Sequence, residues 1–449
     1  MTEQHSDTLV ERLGSFDAAE RRDALERLGE AFPGGPTKPE VNLHCHTFFS
    51  YNASGYSPSR FAWEARRYGL AVAGIVDFDV LDGVEEFLEA GRLLALKTVA
   101  GFETRVFVPE YADKVLNSPN EPGVFYLVGS GFTHRPEPGT TAAATLAKMA
   151  GCARDRNMHM AELINEYLAP VTVDYERDVV SLTPAGNATE RHMLTAYDRR
   201  ARELFSDDER LAAFWSEKLG EPVERVRALL DDVVSLKNLI RSRLMKYGGV
   251  GYAAPEQGSF PTLDDVVRMT LDCGAVPSGC WLDGTSDGEE DTEGLFRFLR
   301  SKGVPTVTII PDRNWNIKDP DERATKIRNF QDSLAAAERL AMPVFVGTEM
   351  NKAGAKFVDT FDAPEMSPHR DAFLDGAHFA WGHTLLKMTA GMGCTGAWAD
   401  EQFGDDLARR NAFFRRLGEM AYPGTRVLDS LAGLGPDAVP GDVLRAAEG

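Results

Sequence analysis

Seven short runs rich in apolar and β-branched residues recur along the chain. They are EVNLHCH (40–46), AVAGIVDF (71–78), KTVAGFETRVFV (97–108), GVFYLVGSGF (123–132), GAVPSGCW (274–281), VPTVTIIP (304–311) and MPVFVGTE (342–349). Their length and bounding turns predict strands. Between the first two lies SPSRFAWEARRYGL, with Ser57 placed to cap, Pro58 at the first helical position and Gly69 at the end, so a helix is predicted there. Strands alternating with helices predict a parallel sheet, and seven of them a closed or nearly closed barrel.

The pattern changes in three places. Residues 7–30 repeat apolar positions at helical spacing and end at PGGPTKPE, Pro33 to Glu40, which reads as a linker. Between about 140 and 265 long helical patterns such as TERHMLTAYDRRARELF and ERLAAFWSEKLG interrupt the alternation, which predicts a helical insertion over one face of the barrel. From about Ser367 the chain again reads as mainly helical. The expected division is an N-terminal extension (1–36), a first barrel half (37–139), the insertion (140–265), a second barrel half (266–366) and a C-terminal helical segment (367–449).

Composition narrows the partners rather than the fold. Of the 449 residues, 43% are hydrophobic, enough for a sizeable core. Lys and Arg number 49 against 69 Asp and Glu, and the net charge of -20 argues against a nucleic-acid polymer or an anionic membrane as partner. A small anionic substrate stays compatible, because a local cation can outweigh the global field. The five cysteines are scattered and suggest neither a disulfide framework nor a cysteine zinc site. No apolar run approaches the ~18 residues that span a bilayer, and the N-terminus lacks a signal-peptide pattern, so a cytoplasmic location is expected.

The chemistry concentrates at strand ends. In a strand, residues two apart share a face, so His44 and His46 present two imidazoles side by side, a pair suited to Zn, Mn or Fe. The second strand ends in IVDFD with Asp77; the third carries Glu103 in AGFETR; the fourth is followed by His134 in GSGFTH. In parallel barrels functional groups collect at the C-terminal rim, which predicts a metal site there.

These residues resemble the polymerase and histidinol phosphatase (PHP) superfamily. NLHCHTFFS is similar to its opening His-X-His motif, GLAVAGIVDFDVLDG to its second motif, VAGFE to its third and LAMPVFVGTEMNKAG to its final segment. The resemblance implies a distorted (β/α)7 TIM-like α/β barrel, one to three divalent metals and hydrolysis of a phosphate ester. It implies His44, His46 and Glu103 as ligands with His134 as another, and Asp77 at the family's acidic position. The chain departs from the pattern at Phe78, where the family has a ligand histidine, and around Tyr51 and Asn52, where an aspartate often stands. SGCWLD replaces Ala-His-Pro, and GTEMN puts Glu349 and Asn351 in place of Asp and His. One or two metals are therefore expected, with Glu349 as an oxygen ligand.

A metal held there would lower the pKa of a bound water toward neutrality for attack on phosphorus. Asp77 or Asp283 would orient that water or protonate the leaving alcohol. Arg105, Arg313 and Lys352 are the expected phosphate donors. His192 reads as part of a solvated helix, and His378 and His383 as packing residues. The expected partner is thus a small phosphorylated substrate. Two alternatives stand beside it: a PHP-like barrel that has lost catalysis and binds a ligand or partner, and an amidohydrolase-type metal hydrolase.

Overall fold

The computed structural model describes residues 3–32, 34–253 and 258–448. Pro33, the first residue of the expected linker, and residues 254–257, inside the expected insertion, lie outside the described residues, as do residues 1, 2 and 449 of the terminal segments. The chain divides into two compact units. The first holds residues 1–48, 52–146 and 261–449; the second holds 49–51 and 147–260.

The first unit begins with helices α1 (Glu3–Arg12) and α2 (Ala18–Ala31). A half-barrel follows: β1 (Val41–Cys45), α3 (Pro58–Tyr68), β2 (Val72–Phe78), α4 (Val84–Leu94), β3 (Thr98–Phe107) and β4 (Val124–Ser130). α3 forms as its sequence predicts: the Ser57 side chain accepts from Arg60 N–H, Pro58 opens the helix, and Gly69 ends it at φ 92°. The helix α5 (Thr141–Leu168) leads into the second unit, where α6 (Glu190–Leu204), α7 (Asp208–Leu219), α8 (Val223–Leu229) and α9 (Val233–Leu244) follow. They enclose their own core, with Ile164, Met193, Tyr197, Trp215 and Ile240 buried. The first unit then resumes with α10 (Leu263–Asp272), β5 (Val276–Trp281), α11 (Thr292–Ser301), β6 (Thr306–Ile309), α12 (Asp312–Trp315), α13 (Pro320–Arg339), β7 (Val344–Val346) and α14 (Arg370–Ala390). Four shorter helices between Ala397 and Ala447 complete it.

The seven strands form one sheet in sequence order. It curls round until β1 meets the end of β7: Cys45 bridges Glu349, His46 N–H donates to Glu349 O at 2.9 Å and Glu349 N–H to His44 O at 2.7 Å. The result is a nearly closed α/β barrel. Closure needs a close approach beside His44, since a Cβ on Gly347 would meet His44 N at 2.4 Å.

One strand departs from the parallel expectation. β4 runs antiparallel to both β3 and β5. A parallel return requires a crossover of a dozen or more residues, usually a helix. Between β3 and β4 the only helical piece is a single three-residue turn, Pro109–Tyr111, so the chain folds straight back. The end of β4 therefore lies at the barrel rim opposite the one where β1, β2 and β3 end.

Candidate metal centre

β1 pairs with β2 through Val41–Val72 and Asn42–Ala73, then shifts register before Cys45–Ile75. That irregularity lies at His44 and lets the end of the strand turn its side chains inward. β2 pairs with β3 so that Phe78 stands opposite Glu103. The outcome is a compact trio. His44 Nε2 lies 3.3 Å and His46 Nε2 3.1 Å from the same oxygen, Glu103 Oε2. The two imidazoles meet edge to face, 5.4 Å between ring centres.

All three side chains are buried, at 1%, 0% and 5% exposure. Burial would raise the Glu103 pKa, but the two histidines, His44 foremost, hold the carboxyl below the ordinary carboxylate range. For His46 burial works toward a lower pKa, and Glu103, with Asp77 and Glu349 adding, outweighs it and raises the pKa. A buried carboxylate between two imidazoles calls for positive charge, from a proton or from a cation. The donor set suits a divalent metal: one ligand atom from each residue lies within 4.8 Å of the others. His44 Nδ1 is buried and makes no hydrogen bond. These residues fit a transition-metal ion, whose identity the donors leave open among Zn, Mn and Fe.

The other predicted residues fall into distinct places. Asp77 sits behind the trio, its two oxygens accepting from Thr47 N–H at 2.7 Å and Thr47 Oγ1 at 2.6 Å. It thereby fixes the turn that carries His46. Phe78, where the resemblance implied a ligand histidine, stacks on His46 with ring centres 4.2 Å apart.

His134 is a correction to the expected single rim. It follows the reversed β4, is exposed, and its Nδ1 lies 3.0 Å from its neighbour Thr133 Oγ1. Glu349 is brought to the barrel seam, but its carboxylate is bound by Arg313 at 2.6 and 2.7 Å and is not part of the trio. Arg313, expected as a phosphate donor, thus holds a carboxylate. Burial opposes its charge, while Glu349 and then Glu103 raise its pKa above the ordinary value.

Arg105 shares the inward face with Glu103 and pairs with Glu121 at 3.0 Å. Asp283 is held by Thr285 and, at 3.0 Å, by Lys326. Lys352 is exposed. His192, expected on a solvated helix, is instead 7% exposed and caps α6, accepting from Thr189 N–H. His383 is buried, accepting from Cys394 N–H.

Three polar groups escaped the sequence reading. Tyr126 of β4 lies opposite Arg105 and so shares the inward face. Cys280 of β5 stands two residues beyond Ser278, the partner of Val128, on that same face. Burial pushes its thiol well above the ordinary value, with Glu103 and Glu349 adding. Only the antiparallel register of β4 would have revealed these two. Glu289 is fully buried and accepts the backbone N–H groups of Leu282, Asp283 and Gly284 at 2.8, 3.1 and 3.0 Å. Burial raises its pKa to about 7. No local sequence signal marks it.

Residues 42–182 match the PHP domain family. The PHP match starts with β1 and includes all three residues of the trio. Over 78 residues the chain is 35% identical to an error-prone DNA polymerase of Cutibacterium acnes, a stretch that is 17% of this chain and 7% of that polymerase. The chain therefore spans only a small fraction of that relative's length. Among solved structures it is similar to an amidohydrolase from Chromobacterium violaceum (15% identity, TM-score 0.48, covering 74% of this chain and 96% of that one). It is also similar to a protein assigned as a metal-dependent phosphoesterase from Bifidobacterium adolescentis (18% identity, TM-score 0.45, with the same coverages). The PHP match together with the buried trio supports a metal-dependent hydrolase in general terms. No helix among the described residues is long and apolar enough to cross a membrane.

Proposed function

We propose that the protein is a hydrolase that cleaves a phosphate ester of a small molecule at a single divalent metal. The observation that carries this reading is the buried His44, His46 and Glu103 trio. A metal bound there would supply Lewis acidity and a water more acidic than bulk. The chain's own residues do the rest. Glu103 holds both imidazoles in register, and Asp77, through Thr47, keeps the following turn in place. We assign Asp77 a positioning role, because both of its oxygens are engaged. Asp283 is drawn away by Thr285 and Lys326.

Arg105 and Arg313 carry positive charge on an otherwise acidic interior. Each would exchange its carboxylate partner for phosphate oxygens, which a guanidinium fork matches in geometry. The net charge of -20 favours a small substrate over a nucleic-acid polymer.

The test is metal analysis of gently purified protein, followed by a screen of phosphate mono- and diesters with added Mn or Zn. Turnover that His44→Ala abolishes is the expected result. Stoichiometric metal with no turnover on any ester would replace this reading with that of a binding module, which the stacking of Phe78 on His46 favours.

A further inference from the structure

The helical unit contains a group of cations that ester hydrolysis at the trio does not use. Along the seam of α6 and α9, Arg191 Nη1 donates to Asn238 Oδ1 at 2.8 Å and Lys237 Nζ to Thr195 Oγ1 at 3.1 Å. Arg241 Nε donates to Glu190 Oε2 at 2.8 Å, and Lys246 Nζ to Glu190 Oε1 at 3.0 Å. Two of these four cations share one carboxylate, Glu190, while the side chains of the other two bond neutral partners. The nearby Asp198 is held by Arg202 at 3.0 Å. In a chain of net charge -20, this surplus runs against the global balance.

Arg191 is the least favourable member of the group. It stands in the first turn of α6, where the helix dipole favours anions and disfavours cations. Its side-chain partner is a neutral amide, and it forms no ion pair among the described residues. Burial first, and Arg241 next, push its pKa down, while Tyr51 and Glu190 offset this only in part. Tyr51 is fixed there by its ring, which meets His192 of α6 edge to face at 5.4 Å. Such an arrangement breaks local rules without a compensating contact, which is the mark of a functional position.

We propose that Arg191 and Arg241, with Lys237 and the Tyr51 hydroxyl beside them, form an oxyanion site on the helical unit that takes a phosphoryl group. Two guanidinium forks match phosphate oxygens, and a dianion answers the surplus of cations. Arg241 can turn to the ligand without stranding Glu190, because Lys246 also holds that carboxylate. The inference does not depend on the metal reading.

The experiment titrates inorganic phosphate into the EDTA-treated full chain by calorimetry, in the wild type and in Arg191→Gln, Arg241→Gln and, as a control, Arg92→Gln, an exposed arginine of α4. Either of the first two substitutions should weaken binding at least about tenfold, the loss of roughly one charge-assisted contact. Arg92→Gln should leave it intact. Absence of phosphate binding at millimolar concentration, undiminished binding in Arg191→Gln, or an equal loss in Arg92→Gln would each overturn the proposal. A thermal melt in phosphate-free buffer separates binding from a structural role. Arg191→Gln should melt at or above the wild-type temperature, since it removes a cation repelled by Arg241. A clear drop would make Arg191 structural and overturn the assignment.

Discussion

Glu103 in the first half of the barrel and Glu349 in the second are buried carboxylates neutralised in opposite ways. The ion-pair partners of Glu103 among the described residues are imidazoles, His44 and His46, whose charge depends on protonation or on a bound cation. Glu349 is already matched by a permanent cation, Arg313, as Asp283 in the same half is by Lys326. An arginine cannot give up its proton near neutrality, so a metal competing for Glu349 would have to displace a fixed charge. At Glu103 it displaces at most a proton. The difference teaches that the Glu103 site is suited to receive a cation, whereas Glu349 already has one of its own.

The sharpest way to break this comparison is substitution of the receiving half. Glu103→Gln or His46→Ala should lower metal content, measured by elemental analysis, to a small fraction of the wild type and reduce turnover by about 100-fold or more, since loss of a ligand removes the Lewis acid. Glu349→Gln should retain one equivalent of metal. If it loses metal as Glu103→Gln does, the second half is not self-neutralised and the contrast fails.

Arg313→Ala tests the matched half. It leaves the Glu349 side chain, 9% exposed, without its cation, whereas Arg313 itself is 41% exposed and screened. Removing one partner of a fully buried pair costs ~3–5 kcal/mol, and discounting for that exposure leaves about 1–2 kcal/mol, readable by denaturant unfolding. The double variant Arg313→Ala, Glu349→Gln should recover much of the loss. No recovery would mean that Arg313 acts through something other than this pair.

A smaller effect concerns pH. His46 has its pKa raised above 6.5 in the fold, so its contribution to the stability of metal-free protein is complete below the unfolded value and is lost as pH rises through the folded one. Glu103 is lowered, so its contribution is present above the unfolded value near 4.5 and is lost as acid takes the pH down through the folded one. Metal-free protein should therefore melt highest in mildly acidic buffer, and metal affinity should climb as pH rises past 6.5 and the competing proton leaves. A metal affinity that is flat in pH would argue against His46 as a ligand. The smallest expected effect is that of His134→Ala, which should change metal content and turnover less than about twofold, as surface substitutions commonly do.

The same contrast marks how far the sequence could be read. The first half was legible because its chemistry is local: alternation puts His44 and His46 on one face, and strand ends carry Asp77 close by. Even the embedded charge of Glu103 in an apolar strand points inward. The direction of β4 was not legible from its own residues. It is decided by the connection before it, too poor in helix to cross over, while His134, exposed beyond that strand, is not one of the trio. Nor could pattern alone foresee the pairing of Arg313 with Glu349, 36 residues away, because it joins the segments that follow β6 and β7 once those strands pair. His192 misled for a similar reason: a helix end reads as solvated until the neighbouring helices that bury it are in place.

Glu349 also holds its main chain at φ 63°, and Met350 follows at 54°, a left-handed step that glycine would take without strain. Glycine at 349 would ease the backbone yet silence the charge that keeps Arg313 at home, so the hinge of the seam is bound to an awkward residue. Conformational comfort and electrostatic duty pull that position in contrary directions, and the fold has settled for duty.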